Sequence, residues 1–296
     1  MFRARRLVIL DLDNTLYDWV SFFVSSFYAM IDEAVAILNC DKEELLDDLR
    51  DVHRRWHDSE HPFALLETVI VASRFPGMSR SELKIVLDRA FHRFNSVRNK
   101  ELRAYEGVVE GLGRIEELGA ILIAHTESNV LAAQFRLNKL NLMGHFTKVY
   151  CREKSDSIHP DPQYAASPKS SGDDSKMHQL QRHQRKPSPE VLREILEEFD
   201  VSPDNAIYVG DSLSRDMKMA VDVGAKAVWA KYGTRHPPGA YEKLVRVTHW
   251  TDEDVARERV LSQAAKLVRP DFVAENGFDE VVSFVERQFQ KASSET

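Results

Sequence analysis

The feature that most constrains the fold of this chain is a short apolar run that ends in two carboxylates. Residues 7–10 are all apolar, and Asp11 and Asp13 follow almost at once. Such a run, bounded by polar residues, is typical of a buried parallel strand. In open α/β sheets, ligands bind just beyond the carboxyl ends of the strands. Two acids at that place repel each other unless a cation or a proton lies between them, so the stretch predicts a magnesium site. Taken alone, it is equally compatible with a solvated acidic turn.

The bulk composition narrows the class of protein. With 296 residues, the chain is long enough for two domains, or for one domain with a sizeable insertion. A formal charge of −7 argues against a nucleic-acid partner, which requires a basic face. The two cysteines, Cys40 and Cys151, provide no disulfide framework and suit a reducing compartment.

Two apolar stretches have some features of export or membrane segments. The run at residues 7–10 is too short for a signal peptide and is interrupted by acids. The longest uncharged stretch, residues 19–31, is too short to span a membrane. We therefore expect a soluble cytoplasmic protein, monomeric or homodimeric, with no membrane and no nucleic-acid partner.

Residues 18–104 show helical patterning. Residues 19–38 are apolar and aromatic without alternation, which indicates a largely buried helix. Capping-box patterns near residues 41 and 79 open further helices, and Pro62 suits the first turn of another. The sequence therefore predicts an all-helical insertion of four helices that forms a separate small domain.

From residue 105 onward, short apolar runs alternate with helical periodicity. Stretches with the pattern of short strands occur at residues 120–124, 146–151, 206–209, 225–230 and 270–274. This alternation predicts βαβ units and a parallel sheet, an α/β fold built from residues 1–17 and 105–296.

Two stretches of this second part depart from the alternation. Residues 154–185 lose hydrophobic periodicity and are rich in polar residues, which predicts a mobile surface insertion. Residues 235–268 add a helical extension, within which residues 251–268 have the pattern of a charged amphipathic helix.

Polar residues at four strand ends or helix starts resemble the motifs of a known family. The first is Asp11-Leu-Asp13-Asn-Thr15, the second Thr126, the third Lys186-Pro187, and the fourth Gly210-Asp211-Ser212 with Asp216. In this order they resemble the haloacid dehalogenase (HAD) superfamily of aspartate-nucleophile phosphohydrolases, over residues 7–231. The resemblance implies a Rossmann-like, doubly wound parallel sheet. It also implies that the helical insertion at residues 18–104 is a cap of the C1 type.

The resemblance also implies roles for the motif residues. Asp11 is expected to be the nucleophile and Asp13 the general acid and base. Mg²⁺ is expected on Asp11, Asp211 and the backbone carbonyl of Asp13, with Asp216 beside the metal waters or Lys186.

Two of the expected phosphate-binding residues have alternatives. Thr126 and neighbouring N–H groups are expected to bind the phosphate, but a helix N-cap is an equally simple role for Thr126. Lys186 is expected to supply the positive charge beside Asp11, because it directly precedes a proline and a helix, as the lysine of the family motif does. The competing lysines are Lys154, Lys169 and Lys176.

The resemblance implies a set of residues near the substrate but does not identify one substrate. The residues expected to bind or border the substrate are Asn14, Thr15, Tyr17, Trp19, Glu127 and Ser128. An acid at position 13 favours a phosphatase over the dehalogenases of the superfamily, which generally lack one. The first motif also resembles that of the pyrimidine 5′-nucleotidases of the superfamily, which makes nucleoside monophosphates one candidate substrate class. Sugar phosphates and phosphoglycolate are the others.

Two alternative functions stay open. A phosphotransferase such as a mutase would use the same chemistry with a different acceptor. A non-catalytic binding protein on this fold is suggested by the stretches at residues 154–185 and 235–268. The presence of every expected carboxylate favours an enzyme over that second alternative.

Overall fold

The core of the protein is a seven-stranded parallel sheet. The computed structural model describes residues 5–153, 174–181, 183–250 and 267–294, together with residues 256, 260, 263 and 265. The strands are β1 Arg6–Leu10, β2 Ala120–Asn129, β3 Lys148–Arg152, β4 Met177–Leu180, β5 Ala206–Gly210, β6 Lys226–Ala230 and β7 Phe272–Ala274. Their order is β4-β3-β2-β1-β5-β6-β7, and all six pairings are parallel. The predicted Rossmann-like α/β fold is confirmed.

The helices divide between an insertion after β1 and the two faces of the sheet. Those of the insertion are α1 Trp19–Leu38, α2 Lys42–Trp56, α3 Val69–Arg74, α4 Arg80–Val86 and α5 Asp88–Glu101. Those that follow are α6 Val108–Glu117, α7 Val130–Lys139, α8 Pro189–Glu198, α9 Lys218–Val223, α10 Ala240–Val247 and α11 Phe278–Ser294.

Strand β1 is buried on both faces because helices cover the sheet on each side. Leu7 and Ile9 pack in a cluster with residues of α8 and α9. Val8 and Leu10 pack in the other cluster, which includes residues of α6 and α11. All four side chains are fully buried, and burial of each contributes ~1.5–3 kcal/mol to stability. This burial is why the strand reads as a continuous apolar run.

The helical insertion follows the prediction closely, with two departures. Ser79 and Glu82 form the reciprocal capping box at the start of α4. The helix expected from Pro62 begins only at Val69, because Phe63 has a positive φ of 61° and a short 3₁₀ turn follows it. The fourth predicted helix is interrupted at Leu87, between α4 and α5.

Helix α1 owes its apolar character to packing inside the insertion. Among the described residues, it is the one helix long and apolar enough to pass a membrane-span criterion, with a mean hydropathy of 1.5 in its best window. Half of that window is buried, and α1 packs against α2, α5 and α10. Packing of this kind accounts for its composition, since a helix that is apolar on most sides is a buried one.

The prediction of a surface insertion at residues 154–185 was wrong in part. Residues 177–180 form β4, the edge strand of the sheet, paired with β3. The polar sequence Met-His-Gln-Leu hid this strand because an edge strand has only one covered side and needs little apolar alternation. Residues 154–173 lie outside the described residues.

The extension predicted at residues 235–268 is helical at α10. This helix packs against α1 and α2 of the insertion. Most of the helix expected at residues 251–268 lies outside the described residues. The division into a domain of residues 18–104 and a second domain stays a prediction.

Candidate active site

The carboxyl ends of β1, β2 and β5 meet at a cavity of about 570 Å³. The strand order reverses at β1: the chain runs from β1 through β2 and β3 to β4 on one side, and then crosses to β5 on the other side of β1. Such switch points are where open α/β sheets bind ligands. The sheet contributes the floor, and residues 58–60 of the helical insertion contribute one wall. The motif residues that line it are Asp11, Asp13, Thr126, Lys186, Asp211 and Asp216.

Lys186 lies at the centre of the motif residues. Its ammonium group donates to Asp11 Oδ1 at 2.5 Å and to Asp216 Oδ1 at 2.7 Å. The lysine is only 6% exposed. Burial lowers the pKa of Lys186, but the charges of Asp11 and Asp216 outweigh burial and raise it well above its usual range. Lys186 therefore supplies a fixed positive charge beside the expected nucleophile.

Among the competing lysines, the one that the structure describes, Lys176, lies away from the motif residues. The Lys176 ammonium donates to the carbonyls of Met143 and Gly144, at 3.3 and 3.4 Å. Lys154 and Lys169 lie outside the described residues. Lys186 is followed by a cis bond to Pro187 and by the start of α8, the position that the sequence pattern favoured.

Three carboxylates gather at this place. Asp11, Asp211 and Asp216 can each present an oxygen within 4.8 Å of the others. Asp216 approaches closely because Gly210 has no side chain: a Cβ there would lie 2.4 Å from the Asp216 carboxyl carbon.

The charges of this cluster are unbalanced. Three carboxylates surround one lysine, which leaves two negative charges in excess. Burial raises the pKa of Asp11 to about 7, with Asp216 and Asp13 adding to the effect and Lys186 opposing it. Desolvation, Asp11 and Asp216 raise the pKa of Asp211 well above its usual range. A divalent cation would neutralise the excess, and carboxylate oxygens are ligands that Mg²⁺ prefers, so these residues fit the expected ion.

Asp13 faces away from this cluster. Its Oδ1 accepts from the Arg136 guanidinium at 2.8 Å and its Oδ2 accepts from the Ser128 hydroxyl at 2.6 Å. Its carboxylate is therefore separate from the three carboxylates that fit a metal. The sequence prediction that grouped Asp13 with them concerned its backbone carbonyl.

The second motif lies at the end of β2 and start of α7. Asn129, not Thr126, is the N-cap of α7, because its side chain accepts from the Ala132 N–H at 2.9 Å. The Thr126 hydroxyl accepts from the Ser128 N–H at 3.1 Å. The alternative of a helix N-cap for Thr126 was therefore wrong.

The residues expected around the substrate take different positions. Trp19 lines the cavity, and so does Glu127, which pairs with Arg215 at 3.2 Å. Asn14 also lines it, but its side-chain oxygen accepts from the backbone N–H groups of Trp19 and Val20 at the start of α1. Asn14 therefore orients the first helix of the insertion.

Two of the expected substrate-binding side chains are enclosed by the protein. Thr15 and Tyr17 are both fully buried. The Thr15 hydroxyl donates to Asp11 Oδ2 at 3.2 Å, so it positions the expected nucleophile. The Tyr17 ring packs against the guanidinium of Arg136, 5.9 Å from the ring centroid. Neither side chain lines the cavity, so the structure does not bring these two residues to the site as substrate ligands.

The sequence did not identify two charged residues at the site: Arg136, which bonds to Asp13, and Glu60, which lines the cavity. Arg136 lies on α7 and is 1% exposed, on the same helix face as Ala133 and Leu137. A charged residue on the apolar face of a helix is a signal that could have identified it, since such a charge needs a buried partner. Glu60 gives no comparable signal, because it lies in a polar loop of the insertion.

Two family models of known hydrolases match this chain. The family model of the haloacid dehalogenase-like hydrolases matches residues 5–224, and a HAD-hydrolase-like model matches residues 183–276. Among curated proteins, the glyceraldehyde 3-phosphate phosphatase of Methanopyrus kandleri is 25% identical over 234 residues, 77% of this chain and 84% of that protein.

A second curated relative matches only a segment. The glyceraldehyde 3-phosphate phosphatase of Pyrococcus furiosus is 47% identical over 49 residues, 17% of this chain. The chain thus spans 20% of the length of that relative, and 21% of its counterpart from Pyrococcus abyssi.

Two solved structures share the fold. The 2-haloacid dehalogenase of Pseudomonas syringae has a TM-score of 0.54 at 18% identity, over 97% of this chain and 99% of that one. A HAD-hydrolase of Bacillus subtilis, bound to magnesium, has a TM-score of 0.51 at 12% identity, over 96% and 100%. With the family match over residues 5–224, the chain belongs to the haloacid dehalogenase-like hydrolases.

Proposed function

We propose that this hydrolase is a magnesium-dependent phosphatase of small phosphorylated metabolites that acts through an aspartyl-phosphate on Asp11. The observation that carries the proposal is the pairing of Asp11 with Lys186 at the end of β1, with Asp13 as a second carboxylate on the same cavity. The names of the curated relatives, which are phosphatases, support the same activity.

The first step transfers the phosphoryl group to the protein. An oxygen of Asp11 attacks phosphorus, the bond between phosphorus and the ester oxygen breaks, and the leaving oxygen takes a proton from Asp13. The hydrogen bonds from Lys186 and Thr15 hold the two Asp11 oxygens in place. Each carboxylate oxygen retains a lone pair for the attack.

The second step releases phosphate. Asp13, now a carboxylate, takes a proton from a water molecule that attacks phosphorus, and the bond between phosphorus and the Asp11 oxygen breaks. Asp11, Asp211 and Asp216 are the residues that would hold Mg²⁺. When bound, the ion supplies positive charge that neutralises phosphate oxygens.

The cavity supports a small substrate. Its volume of about 570 Å³ is in the range of small-molecule sites. We propose a nucleoside monophosphate, a sugar phosphate or a phosphoglycolate-type compound, turned over in the cytoplasm by a monomer or homodimer. Because the relatives are named for glyceraldehyde 3-phosphate, triose phosphates belong in the same set.

The test is phosphate release from a panel of these compounds, with magnesium and with excess chelator. We expect release from one compound class, at least ~100-fold slower in chelator, because the ion offsets charge in the transition state. Magnesium added back in excess should restore the rate.

Two results would contradict the proposal. Release that is indifferent to chelator would remove the metal from the reaction. No release from any compound, by folded protein that binds magnesium, would favour a phosphotransferase or a binding role.

A further inference from the structure

We propose that Arg136 and Glu60 are positioning residues for Asp13, and that through Glu60 the helical insertion controls the placement of the general acid. The inference rests on the proposed function, because it takes Asp13 to be the proton donor. Neither residue belongs to the four motifs that assigned the site.

Arg136 fixes both oxygens of the Asp13 carboxylate. One guanidinium nitrogen donates to Asp13 Oδ1 at 2.8 Å and to the Ser128 hydroxyl at 2.7 Å. The same hydroxyl donates to Asp13 Oδ2 at 2.6 Å. The three groups form a closed ring of hydrogen bonds, which prevents the carboxylate from rotating. Arg136 is 1% exposed, whereas the Asp13 side chain is 23% exposed, so the guanidinium is buried while the carboxylate still reaches the cavity.

Glu60 binds the second terminal nitrogen of the Arg136 guanidinium through its Oε1 oxygen. The indole N–H of Trp19 donates to that oxygen at 3.4 Å. The planar guanidinium therefore bridges two carboxylates, one on the catalytic loop and one on the insertion. A lysine offers a single charge and cannot reproduce this fork.

The contact belongs to a larger junction between the insertion and α7. Glu60 lies in the loop between α2 and the 3₁₀ turn that precedes α3. Two residues earlier, the Asp58 carboxylate accepts from the side-chain amide of Asn129, the N-cap of α7, at 3.2 Å. Residues 58–60 thus contact both the start of α7 and Arg136. If the insertion moves away from the sheet, Glu60 leaves Arg136, and the guanidinium that holds Asp13 loses one of its two carboxylate partners.

This arrangement predicts a dependence on the leaving group. An alkoxide needs a proton as the ester bond breaks, whereas p-nitrophenolate leaves readily without one. Misplacing the general acid therefore slows the hydrolysis of alkyl phosphates more than the hydrolysis of p-nitrophenyl phosphate. A general loss of folding or binding would lower both rates to the same extent.

The experiment compares kcat and KM for the best alkyl phosphate and for p-nitrophenyl phosphate in Arg136→Lys and Glu60→Gln. We expect kcat on the alkyl phosphate to fall ~10–100-fold in each variant, part of the ~100–10,000-fold that general acids supply. The fall on p-nitrophenyl phosphate should be under ~3-fold. Asp13→Asn sets the upper limit of the effect.

Arg114→Gln is the matched control, because Arg114 forms a pair with Glu286 at 2.5 Å on the surface. It should leave both rates unchanged. Circular dichroism tests whether each variant is folded. If Arg136→Lys does not fold, the result for Glu60→Gln decides the test, because this change keeps an acceptor oxygen and removes only the charge. Equal losses on both substrates, or no loss in Glu60→Gln, overturn the inference. Wild-type protein that hydrolyses neither substrate rejects the proposed function instead.

Discussion

At the scale of single residues, the site is governed by the excess of carboxylates over cations at the end of β1. Lys186 bonds to two acids at once, Asp11 and Asp216, and is almost fully buried. A buried lysine is tolerated because its partners compensate for the lost hydration. The remaining negative charge is what makes the cluster of Asp11, Asp211 and Asp216 a fit for a divalent cation.

His53 predicts a pH dependence of stability away from the site. It lies at the end of α2, 1% exposed, and its ring N–H donates to the Val247 carbonyl at 2.6 Å. Burial lowers the pKa of His53 from 6.5 to about 4, although the Val247 carbonyl and the Asp58 carboxylate raise it and His61 lowers it further. As the pH falls, His53 therefore takes up a proton in the unfolded chain at a higher pH than it does in the folded chain.

The sign of the effect follows from this order of protonation. The contribution of His53 is fully present above pH 6.5 and is lost as the pH falls toward 4. It amounts to ~3 kcal/mol of unfolding free energy. In His53→Gln, urea unfolding between these pH values should show a shallower fall in stability than in the wild type. His92→Gln, at an exposed position, is the control. An unchanged slope in His53→Gln would contradict the assignment.

At the scale of elements, the turn after β6 supports the catalytic loop. The 3₁₀ turn Lys231–Thr234 lies against residues 14–15. The Tyr232 hydroxyl donates to the Thr15 carbonyl at 2.7 Å, and a Cβ at Gly233 would lie 1.6 Å from the Asn14 carbonyl oxygen. Only glycine lets the turn come this close to the Asn14 carbonyl oxygen, so the turn fixes the position of the loop that carries Asp13.

Gly233→Ala should displace that loop. We expect a loss of ~1–3 kcal/mol in unfolding free energy, as for other overpacked sites, and a fall in kcat because Asp13 shifts. Gly113→Ala is the control: it is in α6, and a Cβ there meets no atom within 4 Å. That control should keep its activity and gain up to ~1 kcal/mol in unfolding free energy, because alanine favours a helix more than glycine does. If Gly233→Ala retains wild-type kcat and unfolding free energy, the turn does not set the loop.

The same scale shows why some features could be predicted from the sequence and others could not. Asp11 is recognisable because it directly follows a strand run, and such strand ends converge at one edge of a parallel sheet. Lys186 and Asp216 were recognised from their resemblance to the motifs of the family. The contact between Arg136 and Glu60 joins residues 76 positions apart on different elements. Its existence depends on how the insertion packs, which local patterns do not encode.

Strand β4 shows the opposite case, in which the local signal is weak although the element is regular. Its four residues pair in register with β3, but only Leu180 is buried. Backbone hydrogen bonds, which any sequence can form, hold this edge strand. The helical insertion was predicted well because capping and periodicity are local properties.

At the scale of the whole molecule, the insertion contacts the rest of the chain on two sides of the cavity. On one side, residues 58–60 contact α7. On the other, α10 packs against α1 and α2, with the Tyr28 hydroxyl donating to the Lys243 carbonyl at 3.1 Å and Arg246 pairing with Glu43 and Asp47. These contacts place the insertion over the carboxyl ends of the strands, where it can exclude water from the reaction.

The central claim is that Asp11 carries the phosphoryl group. The most direct measurement is a single turnover of p-nitrophenyl phosphate, quenched in acid and followed by peptide mass spectrometry. We predict that the peptide containing Asp11 gains one phosphoryl group, and gains more in Asp13→Asn, in which the attacking water has lost its base. Asp11→Asn should fold and show no such gain. A phosphoryl group on another residue, or none on Asp11 while Asp13→Asn turns over, would contradict the account.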